Sequence, residues 1–166
     1  MLKQILVLLS GLFLLPALMA QDSGAPPAVF KPGTEIMQEL ASAAATASAA
    51  GAAISISPGV SIRNRSSAVE NYAVMHPYSV EIYHIMAGSG TFVTGGKLIL
   101  PLADSPSDDV LRTEHGIDGG LARQVKAGDV LVLQPGTPHW FKTIDGDSIT
   151  YMESRVRIAT HPIRFQ

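Results

Sequence analysis

The sequence predicts an all-β fold, a sandwich or closed antiparallel barrel preceded by one short helix. Three observations carry this. From Ile54 onward the chain falls into short runs rich in β-branched and aromatic residues, the composition that suits a pleated, half-buried surface. Turn-forming clusters separate the runs: "SPG" at 57–59, "AGSG" at 87–90, "GG" at 95–96 and 119–120, "AGD" at 127–129, "PGTP" at 135–138 and "DGD" at 145–147. Eight or more such runs in roughly a hundred residues close on themselves more readily than they spread into an open sheet.

In chain order, residues 1–20, "MLKQILVLLSGLFLLPALMA", combine Lys3, an apolar stretch from Ile5 to Leu15 and small residues before Gln21. They read as an export signal cleaved after Ala20, because Pro16 interrupts a stretch too short to span a bilayer. Residues 21–34, rich in Pro and Gly, form a tether. Residues 35–53 are Ala-rich, with Ile36, Met37 and Leu40 on one side of a helix that Thr34 caps and Gly51 ends. Residues 54–166 form the barrel. Its expected strands are "AISIS", "VSIRN", "VENYAVM", "VEIYHIMA", "TFVTGGKLIL", "RQVKA", "VLVLQ", "HWFKTI" and "ITYMESRVRI". The polar, turn-rich segment 101–120 is long for a connection in a compact domain, which marks it as functional or disordered, a cover for a cavity mouth in the first case.

Composition removes several classes of function. Twelve Lys and Arg against 14 Asp and Glu give a net charge of −2, with no clustered cationic footprint for nucleic acid. The absence of cysteine removes disulfides, a thiol nucleophile and a lipid attached through Cys. The glycines of "SGTFVTGG" sit in hairpin turns rather than at a helix N-terminus, so they build no phosphate loop. No stable membrane insertion is expected once the leader is removed.

Two stretches carry chemistry. In "HPYSVEIYHIMAGSG", residues 76–90, Pro77 makes a poor central strand, so the chain turns between His76 and Glu81. On the following strand Glu81, Tyr83 and Ile85 face inward, and Ile82, His84 and Met86 outward. In "AGDVLVLQPGTPHWF", residues 127–141, a turn, an apolar strand and a second turn bring His139 and Phe141 onto one face, with Trp140 on the other.

Together these stretches resemble the two signature motifs of the cupin superfamily. In "VMHPYSVEIYHIMAG", His76 stands as the second histidine of the family's first motif, Glu81 as its glutamate and Gly88 as its glycine. In "GDVLVLQPGTPH", Gly128, Gly136 and His139 match the second motif. The resemblance spans roughly residues 54–157 and implies a cupin-type antiparallel β-barrel, a double-stranded jelly roll. It departs from the family pattern at two points. Gln134 replaces a proline, with Pro135 still stiffening the turn, and Val74 stands where the family places its first metal histidine.

Two histidines and a carboxylate still form a recognised set for Fe, Mn, Zn or Ni, among which sequence does not discriminate. His76, Glu81 and His139 are therefore the expected metal ligands, with Glu81 also a catalytic base. The alternative is that the three residues hydrogen-bond to one another inside a polar cavity without a metal. His84 is a possible replacement ligand, but alternation sets it opposite Glu81. Tyr83, Phe141 and Arg123 are candidate pocket residues for a small-molecule substrate, and Glu153 and Arg155 either a charge pair or a further part of the cavity wall. Trp140 is expected to pack outside, against the helix or a partner subunit, and His115 on the surface. Three functions follow. One is a metal-dependent dioxygenase, isomerase or lyase acting on a small organic molecule; the second is a ligand-binding barrel without catalysis; the third is a structural or assembly role in which the barrel dimerises and the motifs persist as fold determinants. The resemblance also implies a homodimer.

Overall fold

The computed structural model describes residues 26–46, 51–68, 72–105 and 107–158. The leader, part of the tether and the final residues, including His161, lie outside the described residues. Helix α1 spans Gly33–Thr46. The Ile36 N–H donates to the Pro32 carbonyl at 3.0 Å, so the helix opens before Thr34, and Thr34 lies within the first turn instead of capping it. The helix also stops short of the expected boundary at 53, because Ala52 already begins a strand.

Ten strands follow among the described residues: β1 Ala52–Ser57, β2 Val60–Ser66, β3 Ala73–Met75, β4 Ser79–Thr94, β5 Lys97–Leu98, β6 Leu111–Thr113, β7 Ile117–Asp118, β8 Leu121–Lys126, β9 Val130–Leu133 and β10 His139–Arg157. All pairings are antiparallel. The first half of β4 and the second half of β10 form one layer in the order β1-β2-β10-β4-β9. The other halves of the same two strands form the second layer, β8-β4-β10-β3-β6. A small β5-β7 ribbon lies beside them. The result is an antiparallel barrel of jelly-roll type.

Two expected chain reversals are bends. "AGSG" at 87–90 does not separate two strands, and "DGD" at 145–147 does not either; β4 and β10 run on through them. The reason is a register shift between Asp145 and Thr150 opposite Gly88, which turns the paired strands together from one layer into the other. Gly88 has φ +79°, and a Cβ there would lie 2.5 Å from the Ser148 carbonyl oxygen. Only glycine fits the bend.

Between the layers, Tyr83, Ile85, Phe92, Val125, Leu133, Phe141, Ile149 and Tyr151 form a buried core. A second cluster sits outside the barrel, where Ile36, Leu40 and Ala43 of α1 cover Ala52, Ile54, Ile62 and Met152. The helix thus shields β1, β2 and part of β10, and among the described residues the outer face of β4 and β9 is left exposed.

Candidate metal centre

His76 follows directly after β3, and the chain turns at Pro77 and Tyr78 into β4, as the proline requires. β3 and β4 are not hydrogen-bonded to each other; both flank β10 instead. The Gly136 N–H donates to the His76 carbonyl at 2.8 Å, which fastens the "QPGTP" turn to the "HPY" turn. That contact sets His139, at the start of β10, beside His76. Strand alternation turns Glu81, Tyr83 and Ile85 inward, all buried, and leaves Ile82 and Met86 outside. His84 is also on the outer side, between Met152 and Val130 in register, and is no replacement ligand.

The three expected ligands converge. Their donor atoms lie within 4.8 Å of one another, and all three residues are buried. Nε2 of His76 and Nε2 of His139 each stand 3.5 Å from a different Glu81 oxygen. The opposite ring nitrogens face carbonyls: His76 Nδ1 is 2.5 Å from the Asp109 oxygen, and His139 Nδ1 is 3.1 Å from the Thr137 oxygen. A carbonyl only accepts, so Nδ1–H donates on both rings and each Nε2 presents a lone pair to the centre. Such backbone partners hold a metal-binding imidazole in its ligating tautomer.

Electrostatics agree. Burial, assisted by the Arg155 cation, pushes His76 down to about 4, and burial pushes His139 down to about 3. Both rings are neutral near pH 7, the form that binds metal. Burial raises Glu81 to about 7 against the pull of Arg155. Arg155 Nη2 stands 3.1 Å from Glu81 Oε1 and 2.6 Å from Glu153 Oε1. The Tyr83 hydroxyl lies 3.2 Å from His139 Nε2.

The centre opens into a cavity of about 630 Å³, within the usual range for small-molecule sites. Tyr83 and Phe141 line it. Arg123 does not. It sits exposed on β8 and donates to Thr94 Oγ1 at 3.3 Å, because in the strand "LARQVK" only Val125 turns fully inward. Trp140 also departs from expectation. It lines the cavity and packs beneath Gly116, where an added Cβ would lie 2.8 Å from the indole. His115 is exposed. Glu153 and Arg155 prove to be an ion pair and a cavity wall at once.

The long segment 101–120 supplies structure that its composition concealed. Its β6 joins the second layer, and buried Asp109 ties down the turn after His76. The Asp109 carboxylate accepts the Tyr78 N–H at 2.7 Å and the Ser79 hydroxyl at 2.5 Å. Arg63, Arg65, Arg112 and Tyr151 also line the cavity. Of these, Arg63 carried a signal, lying one alternation from Ile62 on a predicted strand; Arg112 carried none.

No family model matches the chain, and no curated protein matches it. Among solved structures, the chain is similar to the DMSP lyase DddQ from Ruegeria pomeroyi DSS-3, at 20% identity and a TM-score of 0.38, over 70% of this chain and 43% of that one. It is similar to BH2720 from Bacillus halodurans at 14% identity and a TM-score of 0.46, over 82% and 88%. A domain of Drosophila melanogaster CENP-C gives 14% identity and a TM-score of 0.34, over 74% and 95%. The chain spans less than half the length of the lyase. Each likeness concerns the course of the backbone at low identity.

Proposed function

We propose that this is an exported barrel that holds a divalent metal through His76, Glu81 and His139 and acts on a small organic molecule in the adjoining cavity. One observation carries the reading: the two Nε2 lone pairs each face a different Glu81 oxygen at 3.5 Å, and one ligand atom from each of the three buried residues lies within 4.8 Å of the others. Acceptors gathered away from water repel unless a cation or a proton lies among them. His76 Nε2 has Glu81 Oε1 as its neighbour at 3.5 Å, so a metal or the Glu81 proton is what can lie between them.

A bound Fe, Mn, Zn or Ni ion would supply a Lewis acid, or for the first two a redox centre, of the kind used by dioxygenases, isomerases and lyases. The chain's own contribution is positional. The Asp109 and Thr137 carbonyls hold the imidazoles in one tautomer, Arg155 fixes one oxygen of Glu81, and Val74 leaves an apolar wall where a further ligand would close the site. Glu81, titrating near neutrality, is suited to take or return a proton of the substrate when it is not held as a ligand.

A second reading is favoured by the Arg155–Glu81 pair and by the Tyr83 hydroxyl on His139 Nε2. These contacts satisfy part of the cluster without a metal and suit a ligand-binding barrel without catalysis. Metal analysis decides between the readings, on protein purified without a histidine tag and offered Fe, Mn, Ni and Zn. The first expects near-stoichiometric metal that disappears in His139→Ala. Absence of metal from the unaltered protein after reconstitution would leave the second. Export is checked by sequencing the N-terminus of protein from the cell exterior or periplasm, where Gln21 is the expected first residue.

A further inference from the structure

The cavity wall is cationic in a chain whose net charge is −2. Four arginines line it: Arg63, Arg65, Arg112 and Arg155. Two of them share a carboxylate, Glu153, which stands 2.9 Å from Arg63 Nε and 2.6 Å from Arg155 Nη2. Arg112 differs. Its Nε donates to the Asp104 carbonyl at 2.7 Å, and its guanidinium lies 4.7 Å from the centre of the Tyr72 ring. Neither partner is a carboxylate, and among the described residues no acidic side chain pairs with Arg112.

Register places this cation with respect to the metal centre. His139 on β10 is opposite Val74 on β3, and Val74 is opposite Arg112 on β6. Directly opposed residues of an antiparallel sheet share a face and stand about 5 Å apart, so His139, Val74 and Arg112 form an inward row about 10 Å long. Tyr72, Val74 and His76 alternate along the same face, and all three line the cavity. The row therefore runs from the metal ligands, across an apolar side chain, to a half-buried guanidinium held in place by an aromatic ring and a backbone carbonyl. A fixed planar fork of this kind is matched to a carboxylate. The aromatic wall of Phe92, Phe141 and Trp140 fits an apolar body between the two ends.

We propose that the ligand of this cavity is a small organic carboxylate with an apolar body, its carboxylate anchored by Arg112 and its other end directed at His76, Glu81 and His139. This gives a substrate class to the function proposed above, but the carboxylate anchor stands on Arg112 and not on the metal.

Trp140 is the only tryptophan in the chain and lines the cavity, so its fluorescence reports occupancy. The experiment titrates the protein with 3-phenylpropionate, with 3-phenylpropionamide and with inorganic phosphate, with and without EDTA, after its metal content is measured. Saturable quenching by the acid is expected, at least about tenfold weaker for the amide and weaker by a similar factor in Arg112→Gln. Arg123→Gln, on the outer surface, leaves the titration unchanged. Arg112→Lys keeps the charge without the fork and should fall between; if neither Arg112 variant folds, the acid-to-amide ratio on the unaltered protein decides. Equal binding of acid and amide, tighter binding of phosphate, or no quenching at millimolar acid would overturn the proposal. Acid binding by a protein that takes up no metal after reconstitution would support the carboxylate anchor while removing the metal reading; stoichiometric metal without acid preference would do the reverse.

Discussion

Burial sets Glu81 near 7 and holds His76 and His139 near 4 and 3, so the proton that opposes metal capture around neutrality belongs to Glu81. A ligand must be deprotonated to bind. Metal affinity is therefore expected to rise about tenfold per pH unit from about pH 5 to 7, and to level off above, where Glu81 is already ionised. Competitive chelator titrations across that range check this, and a flat profile would remove Glu81 from the ligand set. Asp109 acts on the same centre through position: its carboxylate pins the Tyr78–Ser79 turn while its carbonyl orients the His76 ring. Asp109→Ala should weaken metal affinity by about 10- to 100-fold, the usual cost of losing a residue behind the ligands. Unaltered affinity in a folded variant would deny the role. At this scale the ligands were legible because spacing along two motifs and strand alternation fix them locally. Arg112 and Asp109 were not, since a pairing between β6 and β3 decides which part of a long segment meets the site.

Strand continuity, rather than strand count, distinguishes the observed elements from the expected ones. A glycine cluster in sequence signals freedom of the backbone, and that freedom serves a reversal or a bend equally well. Here Gly88 serves a bend, because the Ser148 carbonyl approaches to where a Cβ would sit, a contact from sixty positions away that no local pattern displays. Two substitutions separate these effects. Gly119 also has positive φ, +68°, but nothing lies within 4 Å of an added Cβ. Gly119→Ala should cost only the conformational penalty of about 1 kcal/mol, whereas Gly88→Ala adds a backbone clash and should cost about 3 kcal/mol or more. Denaturant unfolding measures both, and equal losses would mean that the bend tolerates a side chain. Alternation was readable along β4 and at the start of β10, Trp140 excepted, which is why the inward set Glu81, Tyr83, Ile85, His139 and Phe141 was reached before the layers were known.

For the whole molecule, the outer surface is shared unequally between α1 and solvent. The helix covers Ile54, Ile62 and Met152. Beyond its reach, Ile82 and Val132 are register partners on the outer face, with Met86, Val130 and Val156 exposed on the same side. Val130 and Val132 are 60% and 56% exposed, on a strand that among the described residues pairs with β4 alone. Such an apolar face beside an open sheet edge is an association hazard unless something covers it. A second copy of this chain is the expected cover, since a two-fold axis lets one patch bury its own equivalent. Sedimentation equilibrium should therefore give a dimer for the unaltered protein. Val132→Lys, which places a charge at the centre of the patch while leaving the inward residues Leu131 and Leu133 intact, should shift it toward monomer by at least about tenfold in Kd. Metal content and the Trp140 titration should stay as they were, because the cavity opens on the opposite face of the sheet from Val132. A variant that dissociates and also loses the cavity's ligand would show instead that the two copies complete the site together.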